Sequence, residues 1–283
     1  MTATTVSPTK SPDIGPDIGP DTSTAAAPVR RTARPIPMTR LVKVELRKMF
    51  NTRSGFWMLV SIGVLSVLAT GAVIVFAPDS DINYDSFATA IGFPMSVILP
   101  IIAILGVTSE WSQRSGLTTF TLVPRRGHVI GAKAIGTLLV GVASMGVAFA
   151  VGALGNLLGA AITGVDVVWG VTLAHSAQIL LGNLIGMAIG FTLGVVLRNS
   201  AAAIVGYFVV SLVLPGILAL LASVREWFAD LQPWIDWNFT QVELFEGTTN
   251  TAREWAMLGS TTMIWILVPL IIGWAFLRRS EVK

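Results

Sequence analysis

The sequence predicts an all-α, polytopic membrane protein with six transmembrane helices, an N-terminal amphipathic interfacial helix and both termini in the cytoplasm. Three observations carry that reading. The chain of 283 residues is 53% hydrophobic and only 12% charged, about half the charged share of a soluble domain, which leaves too few charges to cover a water-facing surface. Its apolar runs reach the length of about 20 residues that a helix needs to cross a hydrocarbon core about 30 Å thick. Its Lys and Arg residues fall on alternate connections between those runs.

The first 37 residues, MTATTVSPTKSPDIGPDIGPDTSTAAAPVRRTARPIP, are rich in Pro, Ser, Thr and Ala and repeat PDIG at Pro12–Gly19. They lack the apolar core of a secretory signal and the apolar area that would offset ordering entropy, so 1–37 reads as a disordered cytoplasmic tail and 38–283 as the membrane domain. MTRLVKVELRKMFNTR, Met38–Arg53, follows. Met38, Leu41, Val42, Leu46, Met49 and Phe50 lie near helical spacing, with Arg40, Lys43, Arg47 and Lys48 on much of the remaining perimeter. A basic amphipathic helix of this kind lies flat against anionic headgroups; Lys43, Glu45, Arg47 and Lys48 are its charged candidates.

Six runs without Asp, Glu, Lys, Arg or His then read as spans: Gly55–Ala77, Phe87–Thr108, Ile135–Leu157, Ala177–Leu197, Ala201–Val224 and Ala256–Leu277. Asn156–His175 is also apolar, but Asp166 at its middle would cost about 2.5–3.5 kcal/mol in a bilayer, so it reads as an outer connection. With the N-terminus inside, 17 of the 19 Lys and Arg residues face the cytoplasm and only Arg225 and Arg253 face out. The stretch SEWSQRSGLTTFTLVPRRGHVIGAK, Ser109–Lys133, is then the one long inner loop between spans.

The fourth span places Gly182, Gly186, Gly190 and Gly194 at four-residue steps. Small residues in that pattern make a groove for close helix packing, within the chain or against another subunit. Pro94, Pro100, Pro215 and Pro269 interrupt spans 2, 5 and 6, each freeing a backbone carbonyl. In the outer segment Arg225–Trp255, Trp227, Trp234, Trp237 and Trp255 suit the headgroup level, and WFADLQPWIDW reads as a helix lying at, or dipping into, that interface.

Several chemistries lack their residues. There is no cysteine, hence no disulfide, thiol nucleophile or thiolate metal site. The two histidines, His128 and His175, fall in loops far apart in sequence, so no metal site is expected. No carboxylate or His sits within the spans, which disfavours an intramembrane protease and an ion-coupled transporter. GHVIGAK, Gly127–Lys133, has the wrong spacing for a phosphate-binding loop. The net charge of +3 is too small to point to nucleic acid. The chain is therefore read as no enzyme and as needing no cofactor of its own.

The order of motifs resembles the permease subunit of a bacterial ATP-binding-cassette exporter of the type-2 membrane-domain family, over about residues 38–280. LVKVELRKMFNTRSGFW resembles that family's lead-in helix, with Glu45 and Lys48 before the first span. GVTSEWSQRSGLTTFTLVPRRGHVIGAK resembles its stretch after the second span, through Ser109, Glu110, Trp111, Thr118, Thr119, Leu122, Pro124, Arg125, Arg126 and Lys133. LRNSAAAIV, with Arg198 and Asn199, resembles its inner turn between spans 4 and 5. The aromatic outer segment fits the re-entrant hairpin often found there.

The resemblance implies a dimer of permease chains, identical or not, above two ATPase subunits that bind the ATP. Glu110, Trp111, Arg114, Thr118, Leu122, Pro124, Arg125 and Arg126 would form the coupling element. Its charges suit charge-assisted hydrogen bonds and its apolar residues suit a groove. Closure of the ATPases on ATP would switch the membrane pathway between inward- and outward-facing forms. Two other functions fit the residues without the resemblance: a transporter that works without an ATPase, ion-coupled or facilitative, and a non-transporting membrane protein of resistance or immunity.

Overall fold

In the computed structural model, residues 36–112 and 126–279 are described, with backbone alone for Ser54, 110–112, Arg126 and 277–279. Residues Ile36–Lys283 form one compact unit. The predicted tail, but for Ile36 and Pro37, lies outside the described residues.

The described chain is helical apart from short connections and crosses the bundle six times. Helix α1 (Met38–Asn51) leads into α2 (Arg53–Phe76), the first span. A single turn at Asp79–Asp81 connects it to α3 (Tyr84–Ser112), the second span. Helix α4 (Arg126–Thr163) is the third span and α5 (Leu173–Leu197) the fourth. The fifth span is α6 (Ser200–Phe208), a wide turn at Val209–Val213 and α7 (Leu214–Val224). A pair of short helices, α8 (Glu226–Ile235) and α9 (Trp237–Glu246), precedes the sixth span, which is α10 (Ala252–Thr262), a second wide turn at Met263–Leu267 and α11 (Val268–Arg279). All six are long and apolar enough to cross a bilayer, so this is a multi-pass membrane protein. Six crossings bring both described ends to the same side, here termed the α1 end; the opposite side is the hairpin end.

Helix boundaries follow their capping residues. Thr52 both ends α1 and starts α2, its Oγ1 accepting from Gly55 N at 3.1 Å. That elbow is so tight that a Cβ at Gly55 would collide with the Met49 carbonyl, so glycine is required there. Thr172 caps α5 by accepting from His175 N at 3.1 Å. Thr251 and Glu254 cap α10 reciprocally, Oε2 of Glu254 accepting from Thr251 N at 2.7 Å.

Helix α3 is the centre of the bundle and packs against α5, α4 and α2. Phe87, Ile91, Met95 and Leu99, all at most 1% exposed, rise in four-residue steps along one of its faces, the ridge that a neighbouring helix takes into its groove. The fourth span is the most buried of the six and the first and fifth are the least.

Both wide turns precede a proline. Leu214 N bonds back to Val209 O just before Pro215, and Val268 N to Met263 O just before Pro269. A proline removes one amide and pushes its ring against the carbonyl four residues back; one i→i+5 turn takes up that misfit without ending the helix. Pro94 and Pro100 lie inside α3, which continues through both.

Three expectations need correcting. The third span runs from Arg126 to Thr163, 38 residues, rather than from 135 to 157. At the α1 end, Lys133 has a carboxylate partner and need not stay in water; at the other end, Asn156 Nδ2 donates to Val168 O at 2.9 Å. The helix stops only before Gly164, in the left-handed region at φ 76°. Its extension moves His128 into a helix, and His175 likewise lies in the first turn of α5, so neither is a loop residue.

The third correction concerns the aromatic outer segment. Asp236 breaks it into two helices and caps α9, Oδ1 accepting from Asn238 N at 3.0 Å. The tip of this hairpin reaches the middle of the sixth span, where Trp265 Nε1 donates to Ile235 O at 2.8 Å. Trp237, expected at the headgroup level, is 2% exposed, with its ring centroid 6.4 Å from that of Tyr207.

Candidate functional site

The last described turns of α3 gather the polar groups of the α1 end. One side of this junction is ionic. Glu45 lies on the same face of α1 as Val42 and Met49, turned toward α4, and is 7% exposed. Its Oε2 accepts from Lys133 Nζ of α4 at 2.8 Å, and its Oε1 from Lys48 Nζ at 2.8 Å. Lys133 is 2% exposed, and its Nζ also donates to Gly106 O of α3 at 3.2 Å. Burial pushes the Glu45 carboxyl up, but the Lys133 ammonium and the hydrogen bonds from Lys133 and Lys48 outweigh it and hold the group below the usual carboxylate range. The pair thus ties α1, α3 and α4 together. Met49 of α1 packs on Gly106, where a Cβ would meet its Cε at 2.7 Å.

The other side of the junction is built on hydroxyl groups. Thr108 Oγ1 donates to Ile104 O at 2.8 Å and pairs with Ser200 Oγ at 2.7 Å. Ser200 begins α6 directly after the Arg198–Asn199 turn. Arg198 takes the left-handed conformation at φ 53°, its N–H donating to Gly194 O, and Asn199 Oδ1 accepts from Ala202 N at 3.0 Å. The two residues thereby close one span and open the next. Trp274 of α11 packs on Gly127, which has no room for a Cβ. Spans 2, 3, 5 and 6 therefore all meet α1, or one another, at this end.

Of the predicted coupling residues, Arg114, Thr118, Leu122, Pro124 and Arg125 lie outside the described residues. Glu110 and Trp111 fall in the last turn of α3, and Arg126 is the first residue of α4. Their segment thus leaves from the helix that supplies Gly106 and Thr108 and returns through the helix that supplies Lys133. Within α1, Lys43, Arg47 and Lys48 are exposed while Glu45 is buried. The Glu45–Lys133 pairing is the feature the sequence reading missed. An acid on the apolar stripe of α1 and a lone cation inside a helical apolar stretch were its two signals.

The glycine stripe faces inward along its whole length. A Cβ at Gly182 would lie 2.8 Å from Phe245 Cε1, at Gly186 3.2 Å from Gln241 Nε2, and at Gly190 2.7 Å from the Pro100 carbonyl oxygen; at Gly194 it would collide with Val107. Gln241 Nε2 donates to Gly182 O at 3.0 Å. The groove therefore seats α9 at one end and α3 at the other.

Asp236 belongs to the segment read as lying at, or dipping into, the outer interface, and the hairpin tip that carries it lies beside the middle of the sixth span. Asp236 is 3% exposed there, with Oδ2 accepting from Gln232 Nε2 at 3.1 Å. His175 Nε2 and Phe245 O lie 2.8 Å apart. Among the described residues, no three His, Asp or Glu side chains come together as a metal site. No protein-family model matches the chain, and no curated protein shows significant similarity to it.

Proposed function

We propose that the chain is the membrane-spanning subunit of an ATP-binding-cassette exporter in a bacterial cytoplasmic membrane, paired with a second permease chain and driven by a separate ATPase. In this reading α1 and both termini are cytoplasmic, and the segment between α3 and α4 (Glu110, Trp111, Arg114, Thr118, Leu122, Pro124, Arg125, Arg126) is what the ATPase engages. One observation carries the proposal: the buried Lys133–Glu45 contact, with Lys133 also on Gly106 O, joins both feet of that segment to α1. A push on the segment then moves α1, α3 and α4 as one block, and the Thr108–Ser200 contact passes it to the fifth span. The sequence order of motifs supplies the rest.

Co-purification tests this. The tagged chain, extracted in detergent with a cassette ATPase of the same cell, should retain ATPase activity. Glu110→Arg and Arg125→Glu should each lose it by at least about tenfold, a coupling energy of about 1.4 kcal/mol, with membrane insertion unchanged. Full retention by both variants contradicts the coupling role. Single cysteines placed in residues 113–125 of this cysteine-free chain should react only from the cytoplasm; labelling only from outside overturns the orientation.

A second reading, an ion-coupled transporter, is favoured by Asp236, since a carboxylate at membrane depth often marks an ion path. Asp236→Asn separates the two: loss of uptake driven by an ion gradient with ATPase association intact would support the second reading.

A further inference from the structure

We infer that Tyr207 is a latch on a hinge in the second span. Pro100 lies inside α3. Having no N–H, it leaves the Ser96 carbonyl without its helical donor, and its ring presses on that same carbonyl. In a bilayer such a group needs a donor from elsewhere. Tyr207 of the fifth span supplies it, its hydroxyl donating to Ser96 O at 3.0 Å. The phenol, 2% exposed, stands in for the missing amide.

The break and its donor lie in a closely packed part of the bundle. Gly190 brings the backbone of α5 directly against Pro100, 2.7 Å from a would-be Cβ to its carbonyl oxygen, and Gly186 would meet the Tyr207 hydroxyl and Pro100 Cγ each at 3.7 Å, so α5 packs closely on the break through its glycines. Two residues beyond Tyr207 the fifth span opens into its wide turn, where Ser211 Oγ donates to Tyr207 O at 2.7 Å. A helix with an i→i+5 turn can shift that turn and rotate the residues beside it. The hydroxyl on Ser96 O holds the two halves of α3 together; without that bond the carbonyl is unpaired and α3 bends more freely at Pro100. The latch couples the fifth span to the second whatever the protein transports.

Restoring the amide tests the idea. Tyr207→Phe removes the hydroxyl and keeps the ring, and should lower Tm by about 2–4 °C. In a Pro100→Ala background, position 100 has its own N–H for Ser96 O, so Tyr207→Phe should then leave Tm unchanged. An equal loss in both backgrounds overturns the latch. A second readout covers the case in which Pro100→Ala does not fold. Spin labels at Phe93→Cys on α3 and Leu212→Cys on the fifth span, both exposed sites, should show a broader distance distribution when Tyr207→Phe is added to the full chain. An unchanged width also overturns it.

Discussion

Glu45→Gln takes the carboxylate from Lys133 and leaves the ammonium where it is 2% exposed. The side chains of Glu45 and Lys133 are 9% and 3% exposed, whereas that of Lys48 is 44% exposed. Solvent screening limits the Lys48 contact to about 0–1 kcal/mol. The Lys133 contact is different, because removing one partner of a buried pair costs about 3–5 kcal/mol. The Gln amide oxygen still accepts a hydrogen bond, which favours the lower figure. At about 2–4 °C per kcal/mol, a loss of about 3 kcal/mol lowers Tm by about 6–12 °C. Lys133→Met leaves Glu45 with Lys48 and should cost about 1–3 kcal/mol. The double variant removes both charges and should fall short of the sum of the two losses by at least about 1 kcal/mol. Thermal unfolding of the four proteins in one detergent measures the cycle. Additive losses, or a Glu45→Gln shift below about 1 °C, would refute the tie between α1 and α4.

Two further expectations concern the same bundle. The Glu45 carboxyl is held below its ordinary range when folded, so its contribution is complete above that range and disappears as pH falls through the lowered value. Tm should therefore decline as pH falls below about 5, and a Glu45→Gln protein should decline less steeply; parallel curves would count against the assignment. Gly190→Ala puts a methyl 2.7 Å from the Pro100 carbonyl, whereas Gly216→Ala meets nothing within 4 Å. The first should destabilise by about 1–3 kcal/mol and the second by nothing measurable; equal melting temperatures would mean that α3 and α5 are not in close contact.

The six crossings were legible because uninterrupted apolar runs declare themselves by length alone. The glycine stripe was legible as a groove, because a four-residue step keeps one face of a helix bare. What fills it was not, since Pro100, Val107, Gln241 and Phe245 come from remote parts of the chain. Sequence reading stopped the third span at its charged and glycine-rich flank, because a lysine reads as water-exposed until its acid is known. Asp236 shows the same limit from another direction. The segment reads as dipping into the interface, but a helix of 10 residues is too short to cross a bilayer, so hydropathy does not indicate how far the two helices carry that carboxylate into the bundle.

The length of α4 has a mechanical consequence. Its 38 residues make a rod of about 57 Å at 1.5 Å per residue, nearly twice the thickness of the hydrocarbon layer, with no proline along it. A continuous helix that outreaches the bilayer joins one aqueous face to the other within a single element. Gly127, under Trp274, and Thr163, beside the connection that Asn156 holds, are therefore the two ends of one helix, so a tilt of α4 at the first is felt at the second.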